Sequence, residues 1–280
     1  MKIAKYWSKQ YLDFDNPPHP PAQLVFWGMS EHSEQDAAAN AQNQLQRWAQ
    51  QLREGISISR NYQLDMQEIR EELIEDILLP DGTRIGAITR NAYGALVLNT
   101  EYLLIVDIDT PAPGLWRRIL AWFGLSFPSK ARVIQTLEHI QQQQPEITLR
   151  IYETFAGLRV FLIHQSFKHD SEQARQWLSR LGADKRYKKL CELQQCYRAR
   201  LTPKPWRCAI TYPPTNSYPR ENALTQQRFA NWIKRYEANS SQFSAVHLIK
   251  QLGRPAQDMI IRQLIEVHDR HAINGTKPLA

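Results

Sequence analysis

The sequence predicts an α+β fold built mainly on an antiparallel β-sheet meander, with flanking helices and a helical C-terminal extension. Short apolar runs alternate with strong turn sequences between about residues 71 and 106, which is typical of paired strands. Apolar residues recur at helical spacing elsewhere in the 280-residue chain. The composition, 42% apolar and 22% charged, is that of a globular protein and excludes disorder as the main state.

The first predicted helix is capped by Ser30 or Ser33 and runs to about Arg53, where Gly55 ends it. A proline-rich segment at 13–22 and a short strand ending at Gly28 precede it. The buried face of this helix is predicted to contain Leu45, Trp48 and Leu52.

The predicted meander contains about four strands. The turn Pro80-Asp81-Gly82 separates the first two, and the turn at 91–94 separates the second from the third. The last strand, at 102–106, is apolar throughout, so we expect it to lie in the centre of the sheet.

The remaining elements follow from helix caps and alternating patterns. We predict helices at 129–144, 171–181 and 184–195, a hairpin at 147–152 and 160–164, a strand at 197–201, and helices at about 222–238, 241–252 and 255–270. Prolines at 213–219 indicate a linker. The predicted domains are therefore a core with an N-terminal helix at 1–212 and a helical extension, packed on that core, at 213–280.

Charge is distributed unevenly along the chain. Residues up to Thr110 contain 9 Lys and Arg against 16 Asp and Glu, whereas the rest contains 26 against 12. The basic second half is therefore either a phosphate-binding surface or an ordinary solvated one. The three cysteines argue against a disulfide framework and favour a reducing compartment. The first residues resemble no signal peptide and no apolar run is long enough to span a membrane, so we expect a cytoplasmic protein.

Two carboxylates form the most distinctive motif, Leu104-Ile105-Val106-Asp107-Ile108-Asp109. Residues two apart on a strand point to one face, so Asp107 and Asp109 emerge together at the end of the strand. Adjacent carboxylates repel each other unless a cation joins them, and Mg²⁺ or Mn²⁺ takes such oxygen ligands together with phosphates. The alternative is a strand end with a capping aspartate.

Two cationic elements follow the carboxylates. The predicted hairpin loop contains Gly157, which allows close backbone approach, and Arg159, which offers a forked donor to phosphate. Further along, the sequence forms a dense cationic edge beside Trp206, suited to phosphate or to a single strand, unless it is merely an exposed basic loop. This edge consists of Arg198, Arg200, Lys204 and Arg207.

Taken in order, these elements resemble the catalytic core of the archaeo-eukaryotic primase (primase-polymerase) superfamily over roughly residues 85–212. Asp107-Ile108-Asp109 is similar to the D-x-D motif of that family, and Gly157-Leu158-Arg159 to its G-x-H motif, with arginine in place of histidine. The segment from Arg198 to Pro203 resembles a later arginine-proline strand. Glu192 is the nearest candidate by order for the third acidic motif, and Asp269 is a distant one.

The resemblance implies an RRM-like core and a metal-dependent nucleotidyltransferase. Asp107 and Asp109 would then be catalytic and, with Glu192, would bind Mg²⁺ or Mn²⁺. Arg159, Arg198 and Lys204 would bind a nucleoside triphosphate or a DNA or RNA backbone.

Three functions stay open at this point. The first is this nucleotidyltransferase or a nucleotide-binding relative. The second is a non-catalytic nucleic-acid-binding protein that uses the basic second half. The third is a peripheral protein that docks on a membrane or partner through the aromatic segment Leu115–Phe123. No P-loop, G-x-S-x-G or H-E-x-x-H sequence is present, which disfavours the enzyme classes that use them.

Overall fold

A computed structural model describes residues 1, 3–15, 22–56, 70–110, 129–183, 185–220 and 222–280. The chain divides into two compact units, Lys2–Leu73 and Ile74–Ala280, the latter joined by Met1. The predicted docking segment Leu115–Phe123 lies outside the described residues. Within the described ranges, no helix has the length and apolar character that crossing a membrane requires.

The smaller unit is a β-hairpin covered by one helix. Strands β1 (Tyr6–Phe14) and β2 (Ala22–Ser30) pair antiparallel along their whole length, and α1 (Glu34–Arg53) packs against both. The Ser33 hydroxyl caps α1 by accepting from the Asp36 backbone, as predicted. Gly28 permits the close packing, because a Cβ there would lie 2.0 Å from the Ala37 carbonyl oxygen. Strand β1 was not predicted, and β2 is longer than expected.

The larger unit contains the other eight strands and five helices of the described chain. The strands are β3 (Glu72–Leu78), β4 (Arg84–Arg90), β5 (Leu96–Thr100), β6 (Leu104–Asp109), β7 (Leu149–Thr154), β8 (Gly157–Leu162), β9 (Tyr197–Arg200) and β10 (Val246–Leu252). The helices are α2 (Lys130–Gln143), α3 (Glu172–Arg180), α4 (Lys185–Gln194), α5 (Ala223–Ser240) and α6 (Met259–Ala272). The predicted α+β class with antiparallel sheets is confirmed.

The strands form two four-stranded sheets rather than one meander. One sheet has the order β3-β4-β5-β9 and the other β10-β7-β8-β6. The predicted meander therefore ends at β5, because β6 leaves it and pairs with β8. Strand β6 lies at the edge of its sheet, not in the centre. Its residues 104–106 are nevertheless fully buried, since both faces are covered, and that burial explains the apolar run.

The C-terminal segment completes the second sheet, which the sequence analysis did not predict. The expected helix at 241–252 is instead the strand β10, which pairs antiparallel with β7. Pairing with the backbone groups of β7 outweighs a weak local helix preference. Strand β10 and helix α6 contribute residues to the core of the larger unit.

Helix α6 contacts both sheets of the larger unit. Leu264 lies against Gly86 of β4, and the His268 ring lies 4.6 Å from the Phe161 ring of β8. Both α6 residues are fully buried. The three cysteines are also buried, as free thiols. Helix α6 thus places one polar side chain, His268, in the core beside β8.

Gly157 determines how closely the β7–β8 turn approaches the end of β6. A Cβ at this position would lie 2.0 Å from the Ile108 carbonyl oxygen, a contact that only a backbone shift can relieve. We expect Gly157→Ala to lower the free energy of unfolding by about 3 kcal/mol or more, measured by urea denaturation. Gly182→Ala is the control, since its Cβ would meet nothing within 4 Å and its cost is backbone strain of about 1 kcal/mol. Equal losses for the two variants would contradict this account.

Candidate functional site

A row of three polar residues crosses the second sheet at the predicted carboxylate motif. Arg159 of β8 pairs in register with Asp107 of β6 on one side and with Tyr152 of β7 on the other. Directly paired residues project from the same face of a sheet, so the three side chains are neighbours. Asp109 lies two residues further along β6, opposite Gly157, and is exposed.

Arg159 is the largest fully buried side chain among the described residues, and its side chain is 2% exposed. Its Nε and Nη2 atoms donate to the two carboxylate oxygens of Asp107, at 2.8 and 3.1 Å. Nη1 donates to the Arg200 carbonyl oxygen at 2.7 Å and to His268 Nε2 at 3.2 Å. Burial by itself would raise the pKa of Asp107, but the charge and hydrogen bonds of Arg159 outweigh burial and lower it. Asp107 and Arg159 therefore form a bidentate ion pair.

His268 extends this network towards α6 and β7. Because Nε2 accepts from Arg159, the ring proton lies on Nδ1, which donates to Asp269 Oδ1 at 2.9 Å. Tyr152 also donates to Asp269 Oδ1, at 2.7 Å, and Arg150 to Oδ2, at 2.6 Å. Burial lowers the pKa of His268 to about 4, although the hydrogen bond with Asp269 opposes this shift. His268 is therefore a neutral imidazole within a network of satisfied groups.

These contacts do not fit the divalent metal that the resemblance implies. Both oxygens of Asp107 already accept from a guanidinium that is always charged, so a cation would have to displace Arg159 or lie beside it. Within the described ranges, no group of three or more His, Cys, Asp or Glu side chains is arranged to hold a metal ion. Glu192 is exposed on α4 and does not join the two aspartates.

The predicted phosphate-binding residues separate into two sets. Arg159 and Arg198 are buried, Arg159 in the ion pair and Arg198 close to Cys191, where its charge acts on that thiol. A buried side chain in the core is not available to a phosphate. Arg200, Lys204 and Arg207 lie nearer the surface and interact electrostatically with one another. The cationic edge predicted from the sequence is thus reduced to these three residues.

Aromatic side chains surround Lys204 and Arg207. The Arg207 guanidinium lies 4.1 Å from the centre of the Phe155 ring, and Lys204 Nζ lies 5.3 Å from the Trp206 ring. Trp206 stacks on Tyr212 with ring centres 4.8 Å apart, and Tyr93 meets both rings with its edge. We call this group of residues the basic aromatic surface. Its members are Tyr93, Phe155, Lys204, Trp206, Arg207 and Tyr212.

The aromatic members of this surface are exposed. Tyr212 is 63% exposed, Phe155 53%, Tyr93 45% and Trp206 39%. Among the described aromatic residues, the only other one in this exposure class is Tyr11, in the smaller unit. Exposed aromatics concentrated beside cations are unusual on a surface that is not used for binding. They identify this region as a candidate ligand-binding surface.

Helix α5 holds the chain segment that carries the basic aromatic surface. Trp232 Nε1 donates to the Thr211 carbonyl at 3.0 Å, the Tyr236 hydroxyl to the Pro203 carbonyl at 2.6 Å, and Asn239 Nδ2 to the Cys208 carbonyl at 3.1 Å. The three donors follow each other at intervals of four and three residues, so they share one face of the helix. The segment 203–211 is therefore anchored rather than an unattached basic loop.

Asp109 is the anion of this region. The charges of both Lys204 and Arg207 interact with that carboxylate. Burial, then the charge of Arg200, lowers the pKa of Lys204, and Asp109 opposes the shift. Lys204 and Arg207 thus lie near one exposed carboxylate, while Arg200 interacts with Asp107, which already forms an ion pair with Arg159. The balance of charge favours an anionic ligand.

Several residues of this region were not predicted from the sequence. The hairpin positions of Tyr93 and Phe155 give no sign that they approach Trp206, which is more than fifty residues away along the chain. The donors on α5 have an ordinary helical spacing, which indicates a buried face but not its hydrogen-bond partners. His268 and Asp269 belong to the hydrogen-bonded network around Arg159, and their role there is structural.

Comparison with known proteins adds no assignment, since no protein-family model, no curated protein and no solved structure matches this chain. The functional interpretation therefore depends on the geometry above.

The two aspartates of the motif have different roles in stability. Asp107→Asn leaves the buried Arg159 without its counter-ion, and we expect the free energy of unfolding to fall by about 2 kcal/mol. Asp109→Asn changes an exposed side chain, so we expect a change within about 0.5 kcal/mol. Urea denaturation of both variants checks this difference. If the two carboxylates instead only repelled each other, either substitution would stabilise the protein.

Stability depends on pH through His268. Its pKa is lowered from 6.5 to about 4 on folding, so the unfolded chain takes up a proton as the pH falls below 6.5 while the folded protein does not. Stability contributed by this group is therefore present above pH 6.5 and is lost between 6.5 and about 4, up to about 3 kcal/mol.

Urea denaturation across this pH range compares the wild type with His268→Asn. The variant is expected to lose stability at every pH but to show a smaller slope between pH 6.5 and 4. His139→Asn, on an exposed position of α2, is the control and should keep the wild-type slope. Identical slopes for the wild type and His268→Asn would show that His268 does not titrate in this way.

Proposed function

We propose that this protein binds single-stranded nucleic acid, DNA or RNA, through the basic aromatic surface. One observation carries the proposal: four exposed aromatic rings and two cations lie together on an anchored segment and the turns beside it. Surfaces that bind single strands combine these residue types, because bases stack on the aromatic rings while the cations contact the phosphates.

Exposed rings favour unpaired bases over a duplex. A base can stack on an aromatic ring only when its own face is free, which a base inside a double helix is not. Tyr212 and Phe155 present the largest exposed ring surfaces of the group. Base–aromatic stacking contributes about 1–3 kcal/mol per base, so two such rings are enough for measurable binding.

The cations supply the part of binding that does not depend on sequence. Arg200, Lys204 and Arg207 belong to the half of the chain with 26 Lys and Arg against 12 Asp and Glu. Neutralising phosphates releases counter-ions, so affinity should fall steeply as salt increases. The anchoring by α5 reduces the ordering that binding requires.

Nucleotidyl transfer is less well supported than binding. It would need Asp107 to coordinate a metal, whereas both of its oxygens accept from Arg159. We therefore propose a binding function and assign no reaction step to the two aspartates.

Fluorescence anisotropy with labelled strands of about 12 nucleotides tests the proposal. We expect single-stranded DNA or RNA to bind, and a duplex of the same length to bind more weakly. The double variant Trp206→Ala/Tyr212→Ala should weaken binding by at least about tenfold. Lys204→Gln and Arg207→Gln should each reduce the slope of log affinity against log salt by about 0.7.

Two matched substitutions act as controls. Tyr11→Ala removes an equally exposed aromatic ring from the smaller unit, and Lys168→Gln removes an exposed cation that follows the opposite end of β8. Neither should change the affinity by more than about twofold, which corresponds to about 0.4 kcal/mol. Absence of binding, or equal losses from the control and test substitutions, would refute the proposal.

A further inference from the structure

Arg200 interacts electrostatically with one carboxylate, that of Asp107, which already forms an ion pair with Arg159. Arg200 is the last residue of β9, its side chain is only partly exposed, and its guanidinium forms no hydrogen bond or ion pair with a described residue. Its backbone carbonyl, in contrast, is held by Arg159 at 2.7 Å. Burial, followed by the positive charge of Arg159, lowers the pKa of Arg200 to about 10. Arg200 is thus a guanidinium held in a position where a nearby anion would stabilise it.

Positive charges are in excess around Arg200. Arg159 and Asp107 neutralise each other, and the charge of Asp107 also acts on Arg200, whereas Asp109 interacts with Lys204 and Arg207. The three cations Arg200, Lys204 and Arg207 remain, with the carboxylate of Asp109. This set has a net charge of +2. A phosphodiester has one negative charge, whereas a phosphomonoester has about 1.5 to 2 at neutral pH. A terminal phosphate therefore matches the set better than a phosphate within a strand does.

We propose that Arg200, Lys204 and Arg207 form a metal-independent site for a phosphomonoester, the terminal phosphate of a nucleic-acid strand, and that Asp109 is the internal anion with which this phosphate competes. The proposal rests on the function proposed for the basic aromatic surface, to which Lys204 and Arg207 belong. Three charged donors on an anchored segment can surround a terminal phosphate, whose three non-bridging oxygens are all free to accept.

The effect of Asp109→Asn on binding affinity distinguishes this phosphate site from a metal site. If Asp109 competes with the phosphate, Asp109→Asn removes the competitor and binding becomes tighter. If Asp109 were a metal ligand, the same substitution would weaken binding and binding would require Mg²⁺ or Mn²⁺. The Asp109 side chain is exposed and makes no hydrogen bond with a described residue, so this variant is expected to fold normally.

The experiment compares one oligonucleotide with a 5′-phosphate, with a 3′-phosphate and with neither, by anisotropy in the presence of EDTA. We expect one phosphorylated end to bind about tenfold more tightly than the unmodified strand, as one charge-assisted hydrogen bond would produce. Adding Mg²⁺ should not increase this preference. The preference should decline as the pH falls below about 6, where the phosphate loses its second charge.

Variants show which residues produce the preference. Arg200→Gln should abolish the preference for the phosphorylated end and should weaken binding of the unmodified strand no more than Lys204→Gln does, and Arg200→Lys should restore part of the preference. Asp109→Asn should increase it, and Lys168→Gln should leave it unchanged. A mononucleotide and inorganic phosphate, added as competitors, show whether the site takes a free phosphomonoester or needs the attached strand.

The possible failures are distinct. Equal affinity for all three strands would overturn the phosphate site and leave the single-strand function in place. Loss of all oligonucleotide binding would overturn both proposals. A requirement for Mg²⁺ or Mn²⁺, together with weaker binding of Asp109→Asn, would overturn the phosphate site in favour of a metal site.

Discussion

The ion pair between Asp107 and Arg159 is the interaction on which the centre of the larger unit depends. A buried guanidinium loses its hydration at a cost of several kcal/mol, which is offset only if its donors find partners. Four of the five N–H donors of Arg159 do so, through Asp107, His268 and the Arg200 carbonyl. These partners belong to β6, α6 and β9. One side chain on β8 therefore joins both sheets and the helix between them.

This pair also determines the chemistry available at the end of β6. A carboxylate with both oxygens engaged by arginine is a structural counter-ion and not a free metal ligand. Its neighbour Asp109 is exposed, and its carboxylate interacts with the charges of Lys204 and Arg207. Because Arg159 neutralises Asp107, the two aspartates of the motif do not form a strongly negative site. The cations near the end of β6 outnumber the remaining carboxylate, which is why we propose an anionic ligand.

The basic aromatic surface has its shape because helix α5 holds the segment that carries it. Three side chains of α5 donate to backbone carbonyls of one short segment, and Tyr236 also contacts the Thr202 hydroxyl at 2.8 Å. Buried carbonyls that are satisfied in this way resist local opening. Trp206 and Arg207 are therefore anchored in defined positions, so the strand binding that we propose would cost less conformational entropy.

Local sequence signals were sufficient to predict the helices whose first residues are determined by local capping interactions. Ser33, Ser129 and Ser171 each cap the helix predicted to follow, since capping involves only residues three positions apart. The same signals placed Asp107 and Asp109 together on one strand face. They did not reveal that β6 leaves the meander, that residues 246–252 form a strand, or that Arg159 lies inside the protein and neutralises Asp107. Those outcomes depend on contacts between residues far apart in the chain, where burial and pairing outweigh local preference, so only the tertiary structure decided them.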